Sequence, residues 1–359
     1  MQCQILLGLV AAAAPTASAF DLMSALLKTP VYKNLLVPAS RNMMINTAKE
    51  NGVPWADAVA WIRGATDWEL DDDADVAVPA YYRQPFHAYE PGNLCWEAAW
   101  EAEVAGRAVG ARNYPAFGAE GEEAFRGAFD DALVAAGARA PGAGDTILDL
   151  GCATGHGTRR LAAKFPDAAS LVGVDLSPHM LAVARRLPQL CKGEDAAWIN
   201  VVSDDARVSY ARADAASLPF ADASQNFVVL SFVAHELPPA ATRDVVHEAY
   251  RVLRPGGQLW VTEMDFDTEG FRKLRASPAF VFIRSTEPYL DVYADFGAAG
   301  VAEACADAGF GRVEAVAATG RHYALVAAKD GGPAAFVDRR EATKLPDTHL
   351  KTWESKSKS

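Results

Sequence analysis

The chain has 359 residues, half of them hydrophobic and 22% charged, which excludes a mainly disordered or fibrous protein. Its 34 Lys and Arg against 46 Asp and Glu leave a formal charge of −12, so general nucleic-acid binding, which needs basic surface to displace counterions, is not expected. The five cysteines (Cys3, Cys95, Cys152, Cys191, Cys305) form no C-x-x-C pair, and no run reaches the roughly 20 apolar residues of a transmembrane anchor.

The first element is an apolar run, Ile5 to Ala14, followed by the small-x-small string Ala17-Ser18-Ala19. This pattern predicts a signal peptide over residues 1–19, cleaved after Ala19, although no Lys or Arg precedes the run. A buried N-terminal helix is the alternative. With Phe20 the junction reads ASAF, which resembles the bipartite presequences of algae with complex plastids. The resemblance implies a plastid (chloroplast) protein; a secreted or endomembrane protein is the alternative.

Residues 20–140 are expected to form a helical N-terminal extension. Leu22, Leu26, Leu27, Met43, Met44, Ile45, Trp55, Val59 and Ile62 lie at helical spacing, and Pro30, Pro38 and Pro54 divide them into short helices. The acidic stretch Asp67–Asp75 reads as a solvated loop. An aromatic-dense segment follows over residues 80–101, and residues 102–140 read as Ala-rich helix.

From Asp145 strands alternate with helices. Strands are predicted at Thr146–Leu150, Leu171–Asp175, Val208–Ala213, Phe227–Val233, Gln258–Glu263, Val313–Ala317 and His322–Ala328. Helices are predicted at Gly157–Lys164, Pro178–Leu187, Ala240–Leu253 and Gly300–Ala308. The alternation indicates an α/β, doubly wound, mostly parallel sheet over residues 141–329. Residues 330–359, ending in SKSKS, read as a flexible polar tail.

The chemistry-bearing motif is Ile147–Gly157 (ILDLGCATGHG), where the first strand turns into the first helix. A Gly-rich turn admits a ligand to the backbone, and the helix start offers free N–H donors. The dinucleotide pattern G-x-G-x-x-G fails, because Ala153 and His156 stand where its second and third glycines belong. No Walker loop occurs.

What remains, Asp149-x-Gly151-x-Ala153-x-Gly155, resembles motif I of class I S-adenosylmethionine (SAM)-dependent methyltransferases, with Ala153 replacing the middle Gly. The following elements fit in order: Leu171–Asp175 ending in an acid 26 residues after Asp149, Asp214-Ala215 after the third strand, the Phe227–Leu237 exit and Arg251–Gly257 (RVLRPGG). The set resembles the type 11 branch, which includes ubiquinone/menaquinone-biosynthesis methyltransferases, and the N-terminal part resembles uncharacterised plastid methyltransferases of plants and algae. The resemblance implies a Rossmann-like fold with a seven-stranded, mostly parallel sheet flanked by helices. It also implies SAM as cofactor.

By that resemblance Asp149, Gly151, Ala153, Gly155, Asp175, Leu176, Asp214 and Ala215 form the cofactor site, with Asp175 on the ribose and Asp214 on adenine. Helix capping is the structural alternative for either acid. Asp149 faces the methionine moiety or simply supports the turn. Cys152 reads as a packing residue, and no metal is indicated. His235 is the candidate catalytic base, beside Glu236 at the strand exit, or else a polar partner of the cofactor or a loop.

The acceptor pocket is expected to be closed by Tyr81–Trp96 and by the insertion Phe266–Phe296, with Phe280, Phe282, Tyr289 and Tyr293. As a set these suggest a small apolar or aromatic acceptor; singly they read as helix-packing residues. The function implied is methyl transfer from SAM. The alternatives are a non-catalytic protein binding SAM or its product, and a different transferase such as an aminopropyl transferase.

Overall fold

The computed structural model describes residues 37–73, 75–191, 204–276 and 279–345. The expected signal peptide and the ASAF junction lie outside the described residues.

Eight strands form one sheet: β1 (Thr146–Leu150), β2 (Ser170–Asp175), β3 (Val208–Arg212), β4 (Gln225–Ser231), β5 (Leu253–Met264), β6 (Arg312–Ala317), β7 (His322–Ala328) and β8 (Ala335–Asp338). Their order is β3-β2-β1-β4-β5-β7-β6-β8. The first five pair in parallel, and β7 runs antiparallel between β5 and β6. The order reverses between β1 and β4, so the crevice for a ligand opens at the carboxyl ends of those strands. The central strands read as near-continuous apolar runs because helices cover both faces.

The helices are α1 (Val37–Glu50), α2 (Trp55–Gly64), α3 (Trp96–Asn113), α4 (Gly121–Ala135), α5 (His156–Lys164), α6 (Pro178–Leu190), α7 (Pro239–Val252), α8 (Glu269–Arg275), α9 (Ala279–Thr286) and α10 (Leu290–Ala308). Pro54 precedes α2, where a missing N–H costs nothing. Ser177 caps α6 by accepting from Met180 N at 3.3 Å. Among the described residues no helix is long and apolar enough to cross a membrane.

The sheet corrects three expectations. It has eight strands rather than seven. The eighth lies inside the expected flexible tail: Ala335–Asp338 pairs in parallel with β6. All four of its residues are exposed, so no alternation of apolar and polar positions marked it. It is held by backbone pairing and by its flanking arginines, with Arg340 on Asp265 at 2.9 Å and Arg339 on Glu314. Third, the helical stretch expected over residues 102–140 as part of the extension packs in part on the sheet, as the second of two helices. Pro115 opens a 3₁₀ turn, Pro115–Glu120, that ends α3 and redirects α4 onto the sheet. There Phe125 and Phe129 pack with Ile147, Leu171, Phe227 and Trp260. Helix α4 therefore belongs to the sheet's helical layer, not to a separate extension.

The rest of the extension docks on α6. Ile62, Ala98 and Ala99 bury against Met180, Val183 and Leu187. The acidic stretch also differs from the solvated loop expected: Asp71 and Asp73 pair with Arg185 at 2.7 Å each, and Asp71 with Arg186 at 2.5 Å.

One buried polar contact joins α3 to the glycine-rich turn. The Glu103 carboxylate accepts from Arg159 Nη2 at 2.8 Å and Thr154 Oγ1 at 2.9 Å, and meets His156 Nδ1 at 3.1 Å. Burial alone would raise its pKa, but Arg159, His156 and Thr154 hold it at about 2. Glu103→Ala would strand the buried Arg159 guanidinium. It is expected to cost about 3–5 kcal/mol, read as a lower urea midpoint with an unchanged slope.

Candidate functional site

The turn after β1 is built on three left-handed residues: Gly151 (φ 69), Ala153 (φ 46) and Gly155 (φ 78). Side chains at the two glycines would collide. A Cβ on Gly151 would stand 2.6 Å from Val233 Cγ2, and one on Gly155 would stand 2.2 Å from the Tyr210 hydroxyl. Ala153 adopts the same backbone sign with a Cβ in place, a strained arrangement. Its N–H compensates by donating to Asp175 Oδ2 at 2.9 Å.

Asp175, at the end of β2, also accepts from Ser177 N at 2.8 Å and from the Tyr82 hydroxyl. Burial raises its pKa, and these donors oppose the rise. Asp149 lies deeper. Thr158 Oγ1 donates to it at 2.6 Å, and burial pushes it up to about 6. It thereby ties the end of β1 to the first turns of α5. Cys152 is buried and its thiol is pushed well above the usual range by burial and by Asp175, so it packs as expected.

Asp214 accepts from Ala216 N at 2.9 Å, a local turn contact, and faces Tyr81 of the aromatic segment. Leu176 is buried behind Asp175, with its carbonyl accepting from Arg212 Nε at 3.3 Å. Ala215 packs on the core beneath β4. The carboxyl ends of β1 and β2 and the exit of β4 lie at the same edge of the parallel sheet, with Asp175 within electrostatic reach of both Asp149 and Glu236.

His235 stands in a 3₁₀ turn, Ala234–Glu236, at the β4 exit. Its Nδ1 lies 2.9 Å from both carboxylate oxygens of Glu263, which is fully buried. Burial disfavours the imidazolium, but Glu263 outweighs it and lifts the His235 pKa to about 9. Glu263 thus favours the protonated imidazole, an arrangement closer to the polar partner than to the general base among the two roles expected. The neighbouring Glu236 is pushed up to about 7 by burial, with His87 and His235 opposing the rise. Glu236 is the group at this exit that titrates near neutrality.

The aromatic segment packs against the insertion after β5 and the start of α6. Tyr289 Oη donates to Tyr81 O at 3.0 Å, Gln84 Nε2 donates to Tyr289 Oη at 2.6 Å, and Ser177 Oγ donates to Asn93 O at 2.6 Å. In the insertion, Phe266, Phe271, Phe280 and Tyr293 are buried against one another, so they act chiefly as the cap's own core. The Phe282 side chain lies outside what is described. Sequence reasoning missed Tyr82 and His87 as individual site residues; membership in the aromatic segment was their signal. Among the described residues no group of three His, Cys, Asp or Glu is arranged to hold a metal ion.

The family model described as a methyltransferase domain matches residues 147–257. Three curated relatives are similar over about a third of this chain. The carboxy-S-adenosyl-L-methionine synthase of Chromohalobacter salexigens is 38% identical over 33% of this chain and 40% of its own length. The demethylmenaquinone methyltransferase of Clavibacter sepedonicus is 37% identical over 34% and 43%. The ubiquinone/menaquinone biosynthesis C-methyltransferase UbiE of Dinoroseobacter shibae is 36% identical over 34% and 44%. The chain thus spans less than half the length of these relatives. The matched segment contains the turn, both acids and the β4 exit, and the fold is the doubly wound, mostly parallel α/β sheet expected, with eight strands.

Two outcomes follow. Ala153→Gly relieves the left-handed alanine and is expected to raise stability by about 1 kcal/mol in urea unfolding. His235 and His87 both have raised pKa values, so their stabilising contribution is complete below about pH 6.5 and fades as pH rises towards 9. The urea midpoint should fall across that window, and Glu263→Gln should make the fall shallower.

Proposed function

We propose that this protein is a SAM-dependent methyltransferase that transfers a methyl group to a small acceptor with an apolar or aromatic body. The observation that carries the reading is Asp175. It is a buried carboxylate at the end of β2, beside the topological switch point, held against the Gly151–Gly155 turn by a backbone N–H, inside the matched segment.

The residues fit the cofactor. A buried acid with a raised pKa favours a ligand that brings hydrogen-bond donors, and a ribose diol brings two. The turn leaves backbone close to the ligand, and α5 begins there with its free N–H groups. When bound, SAM supplies an electrophilic methyl group on a sulfonium.

This chain's residues would orient the acceptor, exclude water and take its proton. Glu236 is placed for the last role. The half-buried rings of Tyr81 and Tyr289, joined by a hydrogen bond from the Tyr289 hydroxyl to Tyr81 O, support an apolar or aromatic body for the acceptor. Asp214, beside Tyr81, is the adenine contact of this reading.

We also propose that residues 1–19 are a signal peptide beginning a bipartite plastid presequence. The ASAF junction supports this. A fluorescent fusion carrying residues 1–50 is expected in the plastid, and secretion would refute the proposal.

Calorimetry of the protein lacking residues 1–19 tests the cofactor. SAM is expected to bind, NAD not to bind, and Asp175→Ala to weaken SAM binding about 100-fold. Unchanged affinity in the variant would sink the reading. Methyl-labelled SAM with plastid extract separates the enzyme from a non-catalytic binder: a labelled small product is expected, and binding without any labelled product favours the binder.

A further inference from the structure

His87 (φ 50) and Ala88 (φ 70) are adjacent non-glycine residues with left-handed backbone. They form the two corners of a hairpin turn, because Phe86 N donates to Tyr89 O at 3.0 Å and Tyr89 N to Phe86 O at 2.8 Å. Two left-handed corners are ordinarily filled by Asn-Gly, which accept that backbone without a steric penalty. A His-Ala pair here needs an outside support.

The supports come from two other elements. His87 N donates to Thr286 O at 2.9 Å, which pins the turn to the end of α9. His87 Nε2 stands 3.2 Å from Glu287 Oε1 and 3.5 Å from Glu236 Oε1. One carboxylate belongs to the β4 exit and the other to the insertion after β5. The second Glu287 oxygen, Oε2, is buried and has no hydrogen-bond partner among the described residues. A buried acceptor without a donor is costly unless a ligand supplies one.

We propose that His87 is a positioning residue of the acceptor site, holding Glu236 and Glu287 together so that Glu287 Oε2 receives a hydrogen bond from an amine or hydroxyl head of the acceptor. The proposal rests on the methyltransferase reading only for the presence of an acceptor. An ionised carboxylate or phosphate head has no proton to donate to Glu287 Oε2, so such heads are expected to bind less tightly. The charged or titratable groups facing Glu236 are His87 from the turn, Tyr82 from the same segment, His235 beside it, Glu287 from the insertion and Asp175 from β2. Partial burial opposes a proton on His87, but Glu287 and Glu236 carry its pKa up to about 9, so the clamp is cationic at neutral pH.

The test uses the variants A88G and H87N/A88G. Asn-Gly suits the turn, so H87N/A88G is expected to unfold at or above the wild-type temperature while losing the clamp. Carboxyl carbon NMR then follows Glu236. Its titration midpoint, near 7 in the wild type and in A88G, is expected to rise by at least half a pH unit in H87N/A88G. An unmoved midpoint overturns the positioning role.

Three probes test the head group on protein saturated with S-adenosylhomocysteine: tyramine, 4-ethylphenol and phenylacetate, followed by shifts of the His87 ring signals. Tyramine or 4-ethylphenol is expected to bind at least tenfold more tightly than phenylacetate, and the preference is expected to disappear in H87N/A88G. The first two separate an ammonium head from a neutral hydroxyl. Equal or tighter binding of phenylacetate, or no binding by any of the three, overturns the head-group assignment. If S-adenosylhomocysteine itself fails to bind, the methyltransferase reading falls, whereas the Glu236 titration still decides the role of His87.

Discussion

The Glu103 carboxylate is the contact on which the site geometry depends. It sits on a helix of the N-terminal region, yet its partners are Thr154, His156 and Arg159, in and just after the glycine-rich turn. A buried acid must be paired, and this one is satisfied only when the turn has its observed shape. Arg159 completes the arrangement by donating to Thr154 O at 2.6 Å. The turn's left-handed residues then present the Ala153 N–H to Asp175. Helix α3, the turn and the end of β2 thus form one connected polar unit.

The same logic extends to the acceptor side with different energetics. His235 and Glu263 form a buried pair behind the β4 exit, and His87 with Glu236 and Glu287 forms a more open one in front of it. The buried pair orients the turn, because Glu263 accepts from His235 N and sits 2.9 Å from its Nδ1. The open group contains the carboxylate that titrates near neutrality. Two imidazoles with similar pKa values therefore do different work because their surroundings differ in depth. The aromatics of the insertion are mostly spent on each other, which leaves polar groups from three elements to face the crevice.

Much of the fold was legible in the chain. Strands β1, β2, β4 and β7 carry apolar runs bounded by turn residues, and they fall within two residues of their expected limits. The site residues of motif I were legible because turn, acid and strand lie close in sequence. Less legible were features set by partners at long range. Strand β8 is short and exposed, so it has no pattern of its own. Asp71 and Asp73 look like any solvated acidic run until Arg185 and Arg186 are seen opposite. Helix α4 has the composition of the extension, and only the redirection at Pro115 puts Phe125 and Phe129 on the sheet.

The sequence by itself determined the doubly wound sheet, the glycine-rich turn and the two acids at strand ends, because each is encoded by local spacing and the backbone limits of a few residues. The tertiary structure decided which groups face those acids. Tyr82 reaches Asp175, and His87 reaches Glu236 and Glu287, across separations of about 90 to 200 residues. It also set the surroundings of the titratable groups at the β4 exit, where Glu263 favours a proton on His235 and burial raises Glu236. Burial and charge proximity set these pKa values, and both are properties of packing that no local pattern of residues carries.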